Sequence, residues 1–220
     1  VLLAKNKDGY QNLIKMASIA YTEGFYYVPR IDKGIVEQYK DQLIALSGNL
    51  QGEIPSKILN LGNRQAEEAL LWWKEHFQED FYIELMRHGQ ENENRANAVL
   101  IELAKKHGVK LVATNNTYYI SPQDANAHDI LLCVKDGEKQ ATTIGQGRGF
   151  RNGLPNEEYY FKSSQQMKEL FKDIPEAILS IKEIIDKITP YELARNILLP
   201  KFSIPKEFQV EDDPTGKKGE

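Results

Sequence analysis

A chain of 220 residues with 41% hydrophobic content can bury roughly 70% of its extended surface, enough for one domain core. Its 28 basic and 32 acidic residues leave a net charge of -4, so no strong positive field draws it unaided to nucleic acid. No apolar run reaches ~18 residues and no basic signal-like start is seen, which argues against a membrane span or signal peptide. Mean hydropathy is -0.53, and the single Cys133, within DILLCV, reads as a small core residue that cannot form an internal disulfide.

Taken in chain order, helical and strand patterns alternate. Leu13, Ile14, Ala17 and Ala20 lie at helical spacing within Gly9 to Tyr21, and Leu43 to Leu46 is a short apolar run bounded by SGN, as for a buried strand entering a turn. Gln65 to Phe77 puts Ala66, Ala69, Leu70 and Trp73 on one helical face, and Phe81 to Met86 returns as a strand. Arg95 to His107 predicts an amphipathic helix ended by Gly108, followed by a strand over Val109 to Thr114. Ser121, Pro122 and Asp124 mark the next helix start.

Thr142 to Glu158 is rich in Gly and Asn and reads as a long surface loop. The spacing of Gly145, Gly147 and Gly149 is not a dinucleotide fingerprint, and Arg148 and Arg151 are solvated loop residues or contacts to a partner or a DNA backbone. Ser163 and Gln166 form a capping box, Pro175 breaks or restarts the helix, and Glu176 to Ile188 is amphipathic. Beyond Leu199 the chain is polar and reads as a flexible linker or tail. Repeated β-then-α units of this length predict an α/β fold with a parallel sheet and crossover helices, open or curved into a barrel.

Several stretches carry a resemblance. LVATNNTYY (Leu111 to Tyr119) reads as a strand running into a loop and is similar to an ATND-x-HY segment. VLLAKNKDGYQNL (Val1 to Leu13) looks like LAKN-x-x-GY-x-NL, and ALSGNLQGEIP (Ala45 to Pro55) looks like LSGCL-x-GE. FYIELMRHGQ (Phe81 to Gln90) is similar to FYLE-x-x-RHG, and NILLPKFSIP (Asn196 to Pro205) to LLPKFP-x-P. In this order and spacing, they resemble the polymerase-and-histidinol-phosphatase (PHP) domain at the front of bacterial replicative DNA polymerase III alpha subunits.

The resemblance implies a partial PHP-type (β/α) barrel: the later portion of the domain at residues 1–195, then a linker toward the polymerase core at 196–220. Three family metal-ligand positions are covered. The Cys of LSGCL is Asn49 here, and the Asp and His of D-x-H are Asn116 and Tyr118. A neutral amide offers a divalent cation no anionic oxygen, and a phenol with a pKa near ~10 must lose a proton to bind well. No H-x-H stands near the start, where the family's first ligands lie.

Other candidates are weighed singly. Arg87 and His88 follow a strand whose carboxyl end faces the chemistry in a barrel, so they are possible residual site-mouth residues. His76 and His107 read as residues at helix ends, and His128 with Asp129 as a pair fixing a helix to a neighbour. Glu84 sits on a strand and Glu53 in a loop, and nothing in the sequence brings them together.

The expectation is therefore a segment of a replicative polymerase alpha subunit: a degenerate, metal-free PHP domain that is noncatalytic and acts as a structural and docking module. The alternative is a metal-dependent phosphoesterase or proofreading nuclease completed by an N-terminal half. The resemblance implies no cofactor in this segment and magnesium for the polymerase core. Implied partners are that core, a proofreading exonuclease subunit, other replisome proteins and, through the larger protein, DNA, in the bacterial cytoplasm without a membrane. Opened sheet edges predict possible self-association of the segment by itself.

Overall fold

Four strands form one sheet in the order β1 (Leu2–Ala4), β2 (Leu43–Leu46), β3 (Phe81–Leu85), β4 (Lys110–Ala113) in a computed structural model that describes residues 1–145 and 147–194. The expected linker at 196–220 lies outside those residues. β2, β3 and β4 run parallel, with Ile83 opposite Leu111 and Leu85 opposite Ala113. β1 runs antiparallel to β2, pairing Leu3 with Ile44, so the sheet is mostly rather than wholly parallel.

Among the described residues eight α-helices accompany it: α1 (Lys7–Thr22), α2 (Lys33–Tyr39), α3 (Glu53–Asn60), α4 (Asn63–Phe77), α5 (Glu91–His107), α6 (Ala125–Asp136), α7 (Ser164–Leu170) and α8 (Pro175–Asp186). α3 and α4 cross from β2 to β3, and α5 from β3 to β4, the β-α-β connection that parallel strands require. This is the α/β fold that the sequence pattern predicts. Local chemistry sets the ends. Asn6 caps α1 by accepting from the amides of Asp8 and Gly9, and Gly108 closes α5 in the left-handed conformation at φ 62°. The Ser163 and Gln166 capping box opens α7, and Pro175 restarts the chain as the first residue of α8, where a missing N–H costs nothing.

Strand alternation divides the core. Leu43, Ala45, Phe81, Ile83, Leu85, Leu111 and Ala113 face one way, into a large cluster with Leu70 and Phe77 of α4 and Leu100 of α5. Ile44, Tyr82 and Val112 face the other way and pack with Ile181 and Ile184 of α8. Each fully buried large apolar side chain contributes about 1.5–3 kcal/mol. At the amino end of the strands, Tyr82 Oη donates to Glu183 at 2.6 Å, and Lys110 and Lys187 pair with the same carboxylate. Asp80 lies between Lys5 at 2.7 Å and Lys187 at 2.9 Å. This ionic lattice leaves the carboxyl ends of the strands for the site.

Two short helices differ from the sequence reading. Glu53 begins α3 instead of standing in a loop, because Pro55 falls in the first turn, where proline is tolerated. α2 is only seven residues long, too short for periodicity to reveal, and rests on Asp32, whose side chain accepts from the Ile35 amide.

Candidate functional site

The parallel strands end side by side, and the loops leaving them meet. Ser47, Gly48 and Asn49 leave β2, Met86 to His88 leave β3, and Thr114 to Tyr118 leave β4. Gly48, at φ 81°, adopts a turn that a side chain would strain, immediately before Asn49. The structure brings Asn49, Asn116, Tyr118 and His88 to one cleft of about 260 Å³, whose lining includes Met86, Glu93 and Tyr159. Asn49 and the Asn116–Tyr118 pair, far apart in sequence, thus converge at the carboxyl edge of the sheet, where open α/β sheets place their sites.

His88 is the best-anchored group there. It is 1% exposed, its Nδ1 lies 2.7 Å from Glu93 Oε1, and its Nε2 accepts from the Asn116 amide at 3.3 Å. This fits the tautomer protonated on Nδ1, with neither ring nitrogen left over. The Tyr159 ring stacks on the imidazole at 4.3 Å, with only 5° between planes. Burial alone would push the Glu93 carboxyl up. Hydrogen bonds from the His88 ring and backbone outweigh burial and hold it below the ordinary glutamate value. Burial, with Glu93 nearby, pushes the Tyr159 phenol up to about 12, so it stays neutral and accepts from Gln90 Nε2 at 2.6 Å.

The positions that the resemblance aligns with family ligands make neutral, local bonds. Asn49 Oδ1 accepts from the Gln51 amide at 3.0 Å, an Asx turn, and Asn116 Nδ2 stands 3.5 Å from the Tyr118 hydroxyl. Behind them Glu84 is buried; Oε1 accepts from Thr114 Oγ1 at 2.6 Å and Oε2 has no hydrogen-bond partner among the described residues. Glu53 is elsewhere, bonded to Lys33, Lys57 and Trp73. No group of three or more His, Cys, Asp or Glu able to hold a metal occurs among the described residues. Two amides, a phenol, an imidazole with both nitrogens engaged and one carboxylate held by that imidazole do not fit the transition-metal cluster that the resemblance implies.

Other candidates fall differently. Arg87 is not at the site mouth: it forms a two-pronged pair with Asp173 at 2.6 and 2.8 Å, donates to the Leu170 carbonyl and lies over the Phe171 ring. Its guanidinium fork binds the α7–α8 junction, whose carboxylate and carbonyl are the stronger partners. Arg151 is likewise not a solvated or DNA-touching loop residue. It is buried, and all five of its N–H donors are used, on Asp129 twice and on the carbonyls of Thr142, Asn152 and Gln140. Arg148 is exposed. His76 bonds the Trp72 carbonyl and His107 meets Glu67, while His128 packs beside Tyr118 and Tyr119.

Sequence reading missed Glu93, Gln90, Asn156 and Tyr159. Asn156 Nδ2 donates to the His88 carbonyl at 2.6 Å, and the Tyr118 amide donates to the Tyr159 carbonyl at 2.9 Å, so the loop before α7 straps the cleft. No sequence signal singles out Glu93, because Glu91 follows RHG even more closely.

Residues 1–88, which include Asn49, Arg87 and His88, match the PHP domain family. The chain is 40% identical over 211 residues to DNA polymerase III subunit alpha of Borreliella burgdorferi, which covers 96% of this chain and 18% of that protein. The Campylobacter jejuni protein of the same name is 37% identical over 96% of this chain and 19% of its own length. That of Helicobacter pylori is 38% identical over 84% and 16%. The chain thus spans less than a fifth of these relatives. Residues 1–88 carry a PHP domain segment, and nearly the whole chain is homologous to a stretch of the alpha subunit of bacterial DNA polymerase III.

Proposed function

We propose that this chain is a segment of a replicative polymerase alpha subunit in which the PHP site serves structure and docking rather than hydrolysis. The observation that carries this reading is the convergence of Asn49, Asn116 and Tyr118 on one cleft, with the one imidazole there already bonded through both nitrogens. A hydrolytic metal must lower the pKa of a bound water toward 7, and needs anionic or free imidazole ligands to stay in place. No such set is supplied by these residues.

On this reading the segment carries no cofactor, and the magnesium-dependent chemistry of DNA synthesis belongs to a polymerase core elsewhere in the larger protein. The segment supports that core and offers a surface to a proofreading exonuclease and other replisome proteins, in the bacterial cytoplasm. The test is hydrolysis of a generic phosphomonoester and of a primer 3′ end, by this chain and by its Asn116→Asp, Tyr118→His double variant. Neither turns over substrate in the presence of manganese or zinc, because Asn49 remains and His88 stays engaged. Metal-dependent turnover that survives repurification and is abolished by His88→Ala would overturn the proposal.

A further inference from the structure

The cleft that lost its ligand chemistry retains a defined lining. Its base is His88, Glu93 and Tyr159, all buried and bonded to one another or to Gln90. Its rim is Asn49, Gln51 and Tyr118, all exposed, with the half-buried Asn116 between. Leu50, Met86 and Leu154 add apolar wall. Tyr118 is 51% exposed, and its aromatic neighbours are Tyr159, edge-on at 5.9 Å, and His128, tilted at 5.4 Å, neither of them stacked on it.

Charge narrows the class of ligand. The lining contains no Lys or Arg, so a phosphate placed inside would have no cation to pair with. Its one carboxylate, Glu93, already accepts the His88 ring proton and backbone amide, so a cation gains little there. What remains is neutral: Asn49 Oδ1 holds the Gln51 backbone amide, but its Nδ2, together with the side-chain amides of Gln51 and Asn116, offers donors and acceptors, as the Watson–Crick or Hoogsteen edge of a base requires. A volume of about 260 Å³ lies below the range of drug-sized pockets and suits one ring system with its sugar left outside.

We infer that this cleft binds an uncharged planar heterocycle of the nucleobase class, lying against Tyr118 with its polar edge on Asn116 and Asn49 and any phosphate outside. The inference rests on the proposed function, since a metal seated among the same residues would take the space.

Equilibrium dialysis of the full chain with labelled nucleosides, in chelator, tests it. Parallel arms use the 5′-monophosphates, inorganic phosphate and a short single-stranded oligonucleotide; a final arm replaces chelator with zinc or manganese. At least one nucleoside binds at millimolar concentration or below, its monophosphate binds no more tightly, and inorganic phosphate does not bind. Tyr118→Ala weakens binding about tenfold, as loss of a stacking platform does. Asn116→Ala also weakens it, while Tyr27→Ala, at an 85% exposed tyrosine outside the cleft, leaves it unchanged. Oligonucleotide binding with the same Tyr118 dependence assigns the base to a strand, and its absence beside nucleoside binding assigns a free nucleoside. Binding that follows phosphate, or nucleoside binding indifferent to both cleft variants, overturns the inference. Stoichiometric metal in the last arm, lost on His88→Ala, overturns the proposed function; neither metal nor nucleoside bound overturns this inference alone.

Discussion

His88 shows how a buried histidine can be structural. Its imidazole links the helix side of the site, through Glu93, to the Asn116 loop. His88→Ala would leave the Glu93 carboxylate buried without its ring partner, and we expect a loss of about 3 kcal/mol in urea unfolding. A cost below ~1 kcal/mol would show that the pair is dispensable. The sign of its pH dependence follows from the lowered Glu93 value: stabilisation is present above the ordinary glutamate pKa and is lost as the carboxyl protonates below it. At this scale Asn49, Asn116 and Tyr118 were legible because they stand inside recognisable motifs. Tyr159 and Asn156 were not, since 71 and 68 residues separate them from His88 and only the folded loop brings them together.

Element packing supplies two further tests. α8 is held to the amino ends of β3 and β4 through Glu183, whose carboxyl is drawn from 4.5 to about 2 by hydrogen bonds from Lys110 and then Tyr82. A depressed acid stabilises the fold above its unfolded pKa, so this contribution is complete above about pH 4.5 and fades as pH falls toward about 2. Glu183→Gln should flatten the acid limb of a stability–pH curve over that window and leave the shape above pH 6 unchanged. An unchanged acid limb would remove Glu183 from the account. The second test is the Arg151 clasp: Asp129→Ala strips two of its five hydrogen bonds, and amide exchange over residues 142–160 should accelerate while α1 exchanges as before. The long α5 was readable from its helical period, and the short β2 from an apolar run that ends in a turn. α2 and α3 were hidden by their length, and the burial of Arg151 by its setting in a Gly-rich loop, where a basic residue ordinarily meets solvent.

Across the whole molecule, β1 closes one margin of the sheet with three residues, and no strand pairs its outer edge among the described residues. Unpaired backbone at such an edge is a template for another strand, so the chain by itself should associate with rising concentration in light scattering. A monodisperse monomer that binds no hydrophobic dye would show the edge to be adequately protected. The α/β class was legible in the alternation of patterns, whereas the antiparallel direction of β1 was not, because three apolar residues carry no sign of direction. The central claim is the proposal that Asn49, Asn116 and Tyr118 hold no metal, and elemental analysis of the chain purified with zinc or manganese present tests it most directly. The account predicts no stoichiometric transition metal. About one tightly held ion per chain, lost when His88 or His128 is replaced, would contradict it.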